Sequence, residues 1–180
     1  MSERLAPLPE SEWNVAHAQH LLRRAGFGGP RSLLAELVRL APGAAVARLV
    51  EADAPQPPEP DFLVPIARHL EVARVQRRDG RPAAQPLRNQ LNADERRALQ
   101  QLQAWWLEQM HTSAAPLREK MALFWHGHYA VSARKVRQSY HHYLLNRVFR
   151  QEGLGNLKQL TTAVGQTPAM LQYLDQRRST

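Results

Sequence analysis

The chain has 180 residues, 43% of them hydrophobic and 22% charged, and a net charge of +8. This composition is that of a globular protein, and the length predicts one domain because domains usually have about 100 to 200 residues. Cysteine is absent, which excludes disulfides, zinc fingers, iron–sulfur clusters and cysteine nucleophiles, so any metal would need His, Asp or Glu ligands.

The first two predicted helices form an αα-hairpin. The first begins after Ser11, a residue type that caps helices, and continues through Trp13 and Leu21 to Gly26. Pro30 suits the first position of the second helix, in which leucines recur at three- and four-residue spacing. A short amphipathic turn is predicted to follow.

Two proline-containing stretches, residues 52–65 and 79–91, are predicted to be irregular linkers. Proline inside a helix removes a backbone hydrogen bond and clashes with the preceding turn. A helix from about Ile66 to Arg78 is predicted between the two linkers.

The strongest helix pattern begins at Asn92, which with Glu95 resembles a capping box, and ends near His111. Adjacent residues on a helix point about 100° apart. We therefore predict that Trp105 and Trp106 diverge, one towards the core and one towards solvent.

Four cap or start residues predict the remaining helices. Pro116 opens a helix that is predicted to fray at Gly127, and Ser132 is predicted to cap the next one. Asn156 and Thr167 are predicted to cap two shorter helices. No segment shows the alternation and β-branched enrichment of a strand. The predicted fold is all-α, an irregular bundle of about seven to eight helices with proline-rich connections, in one domain over residues 1–180.

The densest histidine group predicts the metal site. His126 and His128 are two residues apart, so they can share a metal only if the helix ends at the intervening Gly127. Of the adjacent His141 and His142, at most one is expected to join them. The structural alternative is a half-buried His126 whose nitrogens bond within the protein.

Two other histidines and several enzyme motifs carry less information. His17 and His20 lie on one helical face and either chelate a metal or line a core boundary, of which we favour the second. The chain lacks a nucleophile elbow, a phosphate loop and the zinc-hydrolase motif His-Glu-x-x-His. It also lacks an apolar stretch long enough to span a bilayer and an export signal, which predicts a soluble, cytoplasmic protein.

Three blocks in the sequence resemble a known family. HLLRRAGFG at residues 20–28, PLREKMALFWHGHY at 116–129 and TPAMLQYLD at 167–175 are similar, in order and spacing, to the bacterial domain of unknown function 1800. Residues 154–156 resemble a fourth block, and Asn146 stands where the family usually has an asparagine. Gly127 departs from the pattern, since the family more often has a polar residue there.

The resemblance implies a helical bacterial protein that forms the amino-terminal part of a longer family domain. The next family block, rich in carboxylates, would follow Asp175 and would supply companions for His126 and His128. Family members are often encoded beside sulfatase-like or phosphatase-like proteins, which are the partners that the resemblance implies. No established activity comes with the family.

Three functional hypotheses follow from these observations. The first is a structural or interaction module of unknown biochemical role. The second is a metal-dependent enzyme fragment that uses His126 and His128, a divalent metal and carboxylates outside this chain. The third is electrostatic binding of nucleic acid, which the positive charge suggests but no binding motif supports.

Overall fold

The computed structural model describes residues 7–52 and 54–175. This part of the chain forms eight α-helices and no strand, which confirms the all-α prediction. None of the described helices is long and apolar enough to cross a bilayer. The helices are α1 (Val15–Ala25), α2 (Arg31–Val38), α3 (Pro42–Val50), α4 (Ile66–Thr112), α5 (Pro116–His128), α6 (Ser139–Glu152), α7 (Leu157–Gly165) and α8 (Pro168–Tyr173).

The chain groups into two compact units, and the single domain over residues 1–180 stays a prediction. Unit 1 comprises Met1–Gln56 and Glu108–Lys120, and unit 2 comprises Pro57–Leu107 and Met121–Thr180. In unit 1, helices α1 to α3 enclose a small aliphatic core. Its buried members are Ala18, Leu22, Leu37, Ala45 and Leu49.

Unit 2 has the larger core, centred on Phe149 of α6, which is fully buried. The indole Nε1 of Trp125 donates a 2.7 Å hydrogen bond to the carbonyl oxygen of Gly153 just after α6. A Cβ at Gly153 would lie 2.9 Å from the Trp125 ring and would also meet the Phe149 carbonyl oxygen. The missing side chain therefore allows α5 and α6 to pack closely at this point.

Helix α4 corrects the prediction of an irregular linker over residues 79–91. Only Gly80 leaves the helical conformation, with φ 84° and ψ 173°, a combination that glycine tolerates far better than other residues. Pro82 falls in the first turn after this break, where the backbone N–H has no partner within the helix. Residues 79–91 are thus mostly helical, even though Pro86 lies further inside.

The two parts of α4, residues 66–79 and 81–112, run antiparallel. Arg68 bonds to Asp94 at 2.8 Å and His69 bonds to Glu95 at 2.6 Å, so the start of the first part lies beside the middle of the second part. Nearer the bend, the Arg88 guanidinium bonds to the Gln76 side chain. The separation in sequence shrinks towards Gly80, as a helical hairpin requires. The helix start predicted at Asn92 was wrong, since Asn92 lies inside α4.

Two further helix starts differ from the prediction. Asn14, not Ser11, caps α1, because its Oδ1 accepts hydrogen bonds from the backbone amides of Ala16 and His17. Ser132 caps only one isolated turn, and α6 begins seven residues later at Ser139. The predicted caps of α7 and α8 are confirmed, since Asn156 and Thr167 accept backbone amides through their side chains.

Candidate functional site

A cavity of about 270 Å³ lies within unit 2, beside the 81–112 part of α4. Four side chains with polar ring or amide groups reach it from three helices: Trp106 from α4, His126 from α5, and His142 and Asn146 from α6. The rest of the wall is mainly aliphatic and consists of Leu99, Leu102, Gln103, Val131 and Ala133. The cavity therefore combines an apolar wall with a few polar groups, as small-molecule sites generally do.

Asn146 is one of several residues whose buried polar side-chain atoms have no hydrogen-bond partner among the described residues. Its side chain is buried at 5% exposure, yet neither its Nδ2 nor its Oδ1 bonds to any described residue. The Nε1 of Trp106 is also buried without a described partner. Buried polar groups are nearly always hydrogen-bonded, because an unmade bond costs about 1–3 kcal/mol. Two such groups on one cavity wall mark a place where a ligand can supply the missing bonds.

Both histidines of the cavity are held towards the neutral form. Burial lowers the pKa of His126, and the nearby His142 lowers it further. Burial also lowers the pKa of His142, although its hydrogen bond to the Val136 carbonyl and the charge of Glu95 act in the opposite direction. Desolvation dominates because a charged imidazolium is costly in a partly buried site.

Their hydrogen bonds define which nitrogens remain available. The Nε2 of His142 lies 2.8 Å from the Val136 carbonyl oxygen, which can only accept, so Nε2 carries the proton and Nδ1 of the neutral ring is an acceptor. No hydrogen bond joins the His126 ring to another described residue. That ring packs against Trp106, with 5.0 Å between ring centroids, and edge-on against Phe149. The histidines can therefore accept a proton, accept a hydrogen bond or ligate a metal.

A hydrogen-bond network around Glu95 connects the two parts of α4 to the start of α6. Glu95 is 2% exposed, and its Oε1 lies 2.6 Å from His69 Nε2 while its Oε2 accepts the backbone amide of Ser139 at 2.7 Å. The Ser139 hydroxyl in turn accepts the backbone amide of Val64. This network fixes the start of α6, from which the two cavity residues of that helix project.

His128 does not reach the same place as His126. Helix α5 continues through Gly127 to His128, and so the two rings leave the helix roughly 200° apart. His128 is exposed and contacts Trp125 and Tyr129 edge-on. No group of three or more His, Asp or Glu residues able to hold a metal occurs among residues 7–52 and 54–175. The metal site at His126 and His128 stays a prediction.

The other singled-out residues lie elsewhere or behave differently. His17 and His20 line a largely apolar surface cavity of about 500 Å³ in unit 1, where His17 stacks on Trp13. The prediction that one tryptophan of the adjacent pair faces solvent was wrong, because both are half-buried. Trp105 packs against Tyr143, whereas the ring of its neighbour packs against a cavity histidine, so α4 lies between two clusters.

Sequence reasoning left open which of His141 and His142, if either, joins the site, and it did not assign Asn146 to the site. His142 and Asn146 are four residues apart, the spacing that places two side chains on one face of a helix. That spacing was a usable signal, but only the helix packing shows that this face meets His126. The sequence singled out Trp106 only because it is adjacent to Trp105. It gave no sign that the indole nitrogen of Trp106 is buried without a partner among the described residues.

The fold and the cavity define a class, an all-helical protein with an internal polar site formed by histidine, asparagine and tryptophan. A family model described as "Protein of unknown function (DUF1800)" matches residues 20–180. The match covers most of the chain, so the protein belongs to this family, which confirms the resemblance seen in its sequence blocks. No curated protein and no solved structure matches the chain.

Proposed function

We propose that this protein binds a small organic molecule in the cavity of unit 2. The observation that carries the proposal is the buried amide of Asn146, which has both a donor and an acceptor without a described partner. A ligand with a neighbouring donor and acceptor would satisfy the amide in a partly enclosed site, where hydrogen bonds are stronger than in open water.

The surrounding residues define what the ligand should offer. Trp106 Nε1 can only donate, so it requires an acceptor on the ligand. The neutral His126 and His142 provide acceptor nitrogens, which suits a hydroxyl or amide donor. Leu99 and Leu102 provide an apolar wall. A compact molecule with an apolar ring or chain and one or two hydroxyl or amide groups matches this set.

A fragment library of small alcohols, amides and heteroaromatic compounds, screened by ligand-observed NMR, tests the proposal. We expect hits that bind the wild-type protein and that lose binding in Asn146→Leu, which removes the amide and fills part of the cavity. Asn89→Leu is the matched control, because Asn89 is exposed on α4 and does not line the cavity. Hits that bind Asn146→Leu as well as they bind the wild type would refute the assignment of the site.

A second candidate function is binding of a divalent metal at His126. The favouring observation is that His126 and His142 line one cavity and that His142 is close enough for its charge to lower the pKa of His126. Neutral imidazole is the form that ligates metals, and Asn146 Oδ1 could be a further ligand. Calorimetric titration with Zn²⁺ or Ni²⁺ distinguishes the possible partners of His126. Loss of binding in His142→Ala but not in His128→Ala would replace the pair predicted from sequence, and the reverse result would support it.

A role as an interaction module is compatible with ligand binding. The side chain of Phe124 is 57% exposed on α5, and Leu157 is 58% exposed at the start of α7. Exposed apolar residues of this size are typical of contact surfaces when they cluster. The sulfatase-like or phosphatase-like partner implied by the family resemblance stays a prediction, which co-expression and co-purification with such a neighbour would test.

A further inference from the structure

A second cleft, of about 410 Å³, opens directly beside the cavity and shares two of its lining residues, Leu99 and Ala133. Three arginines form most of the rest of its wall, and we name it the arginine cleft: Arg96 from α4, and Arg134 and Arg137 from the segment between α5 and α6. Because the two spaces share these residues, they are neighbours within unit 2.

The arginine cleft has three exposed cationic side chains and no exposed carboxylate in its described lining. None of its three arginines has a carboxylate within ion-pair distance among the described residues, and all three are exposed. Neighbouring cations differ in this respect: Arg97 lies 3.7 Å from Asp94, and Lys135 lies 2.7 Å from Asp175. Among the described residues, the Arg137 side chain makes one long hydrogen bond, with 3.4 Å between its Nε and the carbonyl oxygen of Arg134.

Glu95 is the acidic residue in the wall of this cleft, and its carboxylate is already fully engaged. One oxygen bonds to His69 and the other accepts the amide of Ser139, and the residue is 2% exposed. The carboxylate of Glu95 is thus bonded to His69 and Ser139 and not to an arginine, and the exposed charged groups of the cleft are the three guanidinium groups. Guanidinium groups bind carboxylate and phosphate oxygens through paired, charge-assisted hydrogen bonds.

We propose that the arginine cleft binds an oxyanion group, a carboxylate or a phosphate, on the same small molecule whose uncharged part enters the cavity. This inference rests on the proposed function and narrows its ligand to small organic acids and phosphate monoesters. The cleft holds the anionic end near Arg96, Arg134 and Arg137, and the uncharged end reaches Asn146 and Trp106.

The geometry favours a small ligand over nucleic acid. A nucleic-acid backbone needs a series of cationic contacts along an extended track, with stacking aromatic side chains at intervals. Here the arginines surround a single cleft, and the adjoining tryptophan lies inside a cavity of about 270 Å³, with its ring against His126. Such a site fits one anionic group attached to one compact body.

The 4-hydroxy derivatives of benzyl phosphate, benzoate and benzyl alcohol, each referred to by its parent name, are suitable probes, because all three carry a ring hydroxyl that can bond to Asn146 and they differ in the group opposite that hydroxyl. Affinities are measured by calorimetry at low salt for the wild type, for the triple variant Arg96→Gln/Arg134→Gln/Arg137→Gln and for Arg97→Gln. We expect at least one of the two anions to bind about tenfold more tightly than benzyl alcohol. The advantage should disappear in the triple variant and persist in Arg97→Gln, which removes one charge from the same helix outside the cleft.

The possible outcomes separate this inference from the proposed function. If benzyl alcohol binds in a manner that requires Asn146 but neither anion binds more tightly, the anion subsite is refuted and the cavity assignment stands. If none of the three probes binds and the fragment screen also gives no hits, the proposed function fails as well. Inorganic phosphate that binds as tightly as benzyl phosphate would overturn the linkage of the two spaces. An oligothymidylate that binds more tightly than benzyl phosphate, and that loses binding in the triple variant, would overturn the choice of a small ligand.

Discussion

Replacement of Asn146 by leucine should make the protein more stable and abolish its ligand binding. The buried amide of Asn146 makes no hydrogen bond to a described residue, and a bond left unmade by a buried polar group costs about 1–3 kcal/mol. Leucine is larger than asparagine, but the adjoining cavity of about 270 Å³ can accept the extra volume without overpacking. We therefore expect the free energy of unfolding of Asn146→Leu to increase by about 1–2 kcal/mol.

Thermal unfolding monitored by circular dichroism measures this change. For a chain of this length, 1 kcal/mol corresponds to about 2–4 °C, so we expect Tm to rise by about 2–8 °C. The control is Asn156→Leu, in which the same substitution removes a cap that accepts the amides of Lys158 and Gln159. That variant should lose about 1 kcal/mol. If both variants lose stability equally, the Asn146 amide is well bonded in the native protein, and the main argument for the ligand site is wrong.

Three further predictions test the packing and the charges. Gly153→Ala should destabilise unit 2 by about 1–3 kcal/mol in urea denaturation, since the new Cβ would lie 2.9 Å from the Trp125 indole ring. The control Gly165→Ala, whose Cβ would meet no atom within 4 Å, should be neutral or stabilising in the same assay. Glu95→Ala leaves the buried amide of Ser139 without its acceptor and should lower the free energy of unfolding by about 2–4 kcal/mol. Burial lowers the pKa of His126, so protonation favours the unfolded chain, and Tm should fall as the pH is lowered from 7.5 to below 6.5. The variant His126→Gln should reduce this dependence of Tm on pH, whereas His128→Gln at an exposed position should not.

Most of the helices could be predicted because local signals agree with their packing. The side chains of Asn156 and Thr167 accept backbone amides within one turn, and Pro116 lacks the N–H that would have no partner at a helix start. The sequence alone therefore locates these three starts. Where the prediction failed, a tertiary contact or a single backbone angle decided the result. The bend of α4 occurs at Gly80 alone, through one positive φ angle. Pro82 and Pro86, which suggested a linker over residues 79–91, therefore lie in a helix.

The candidate site could be predicted only in part for a related reason. Residue type and spacing brought attention to His126, and helix geometry correctly set the condition under which His128 could join it. The continuation of α5 to His128 depends on packing that no local motif reports. His142 and Asn146 share a helix face by their spacing, but the direction of that face depends on the position of α6 against α4 and α5.

The contrast between Glu95 and Asn146 explains why the cavity is the best functional candidate. Both side chains are buried in unit 2, at 2% and 5% exposure, and both are polar. Both oxygens of Glu95 have partners, which is the arrangement expected of a polar group kept for structure. The side-chain amide of Asn146 has no partner among the described residues, so its burial lowers stability and forms no hydrogen bond with these residues that would offset the loss. Proteins tolerate such costs chiefly at sites where a ligand or substrate later makes the missing bonds, and the cationic cleft next to this asparagine indicates what charge that ligand should carry.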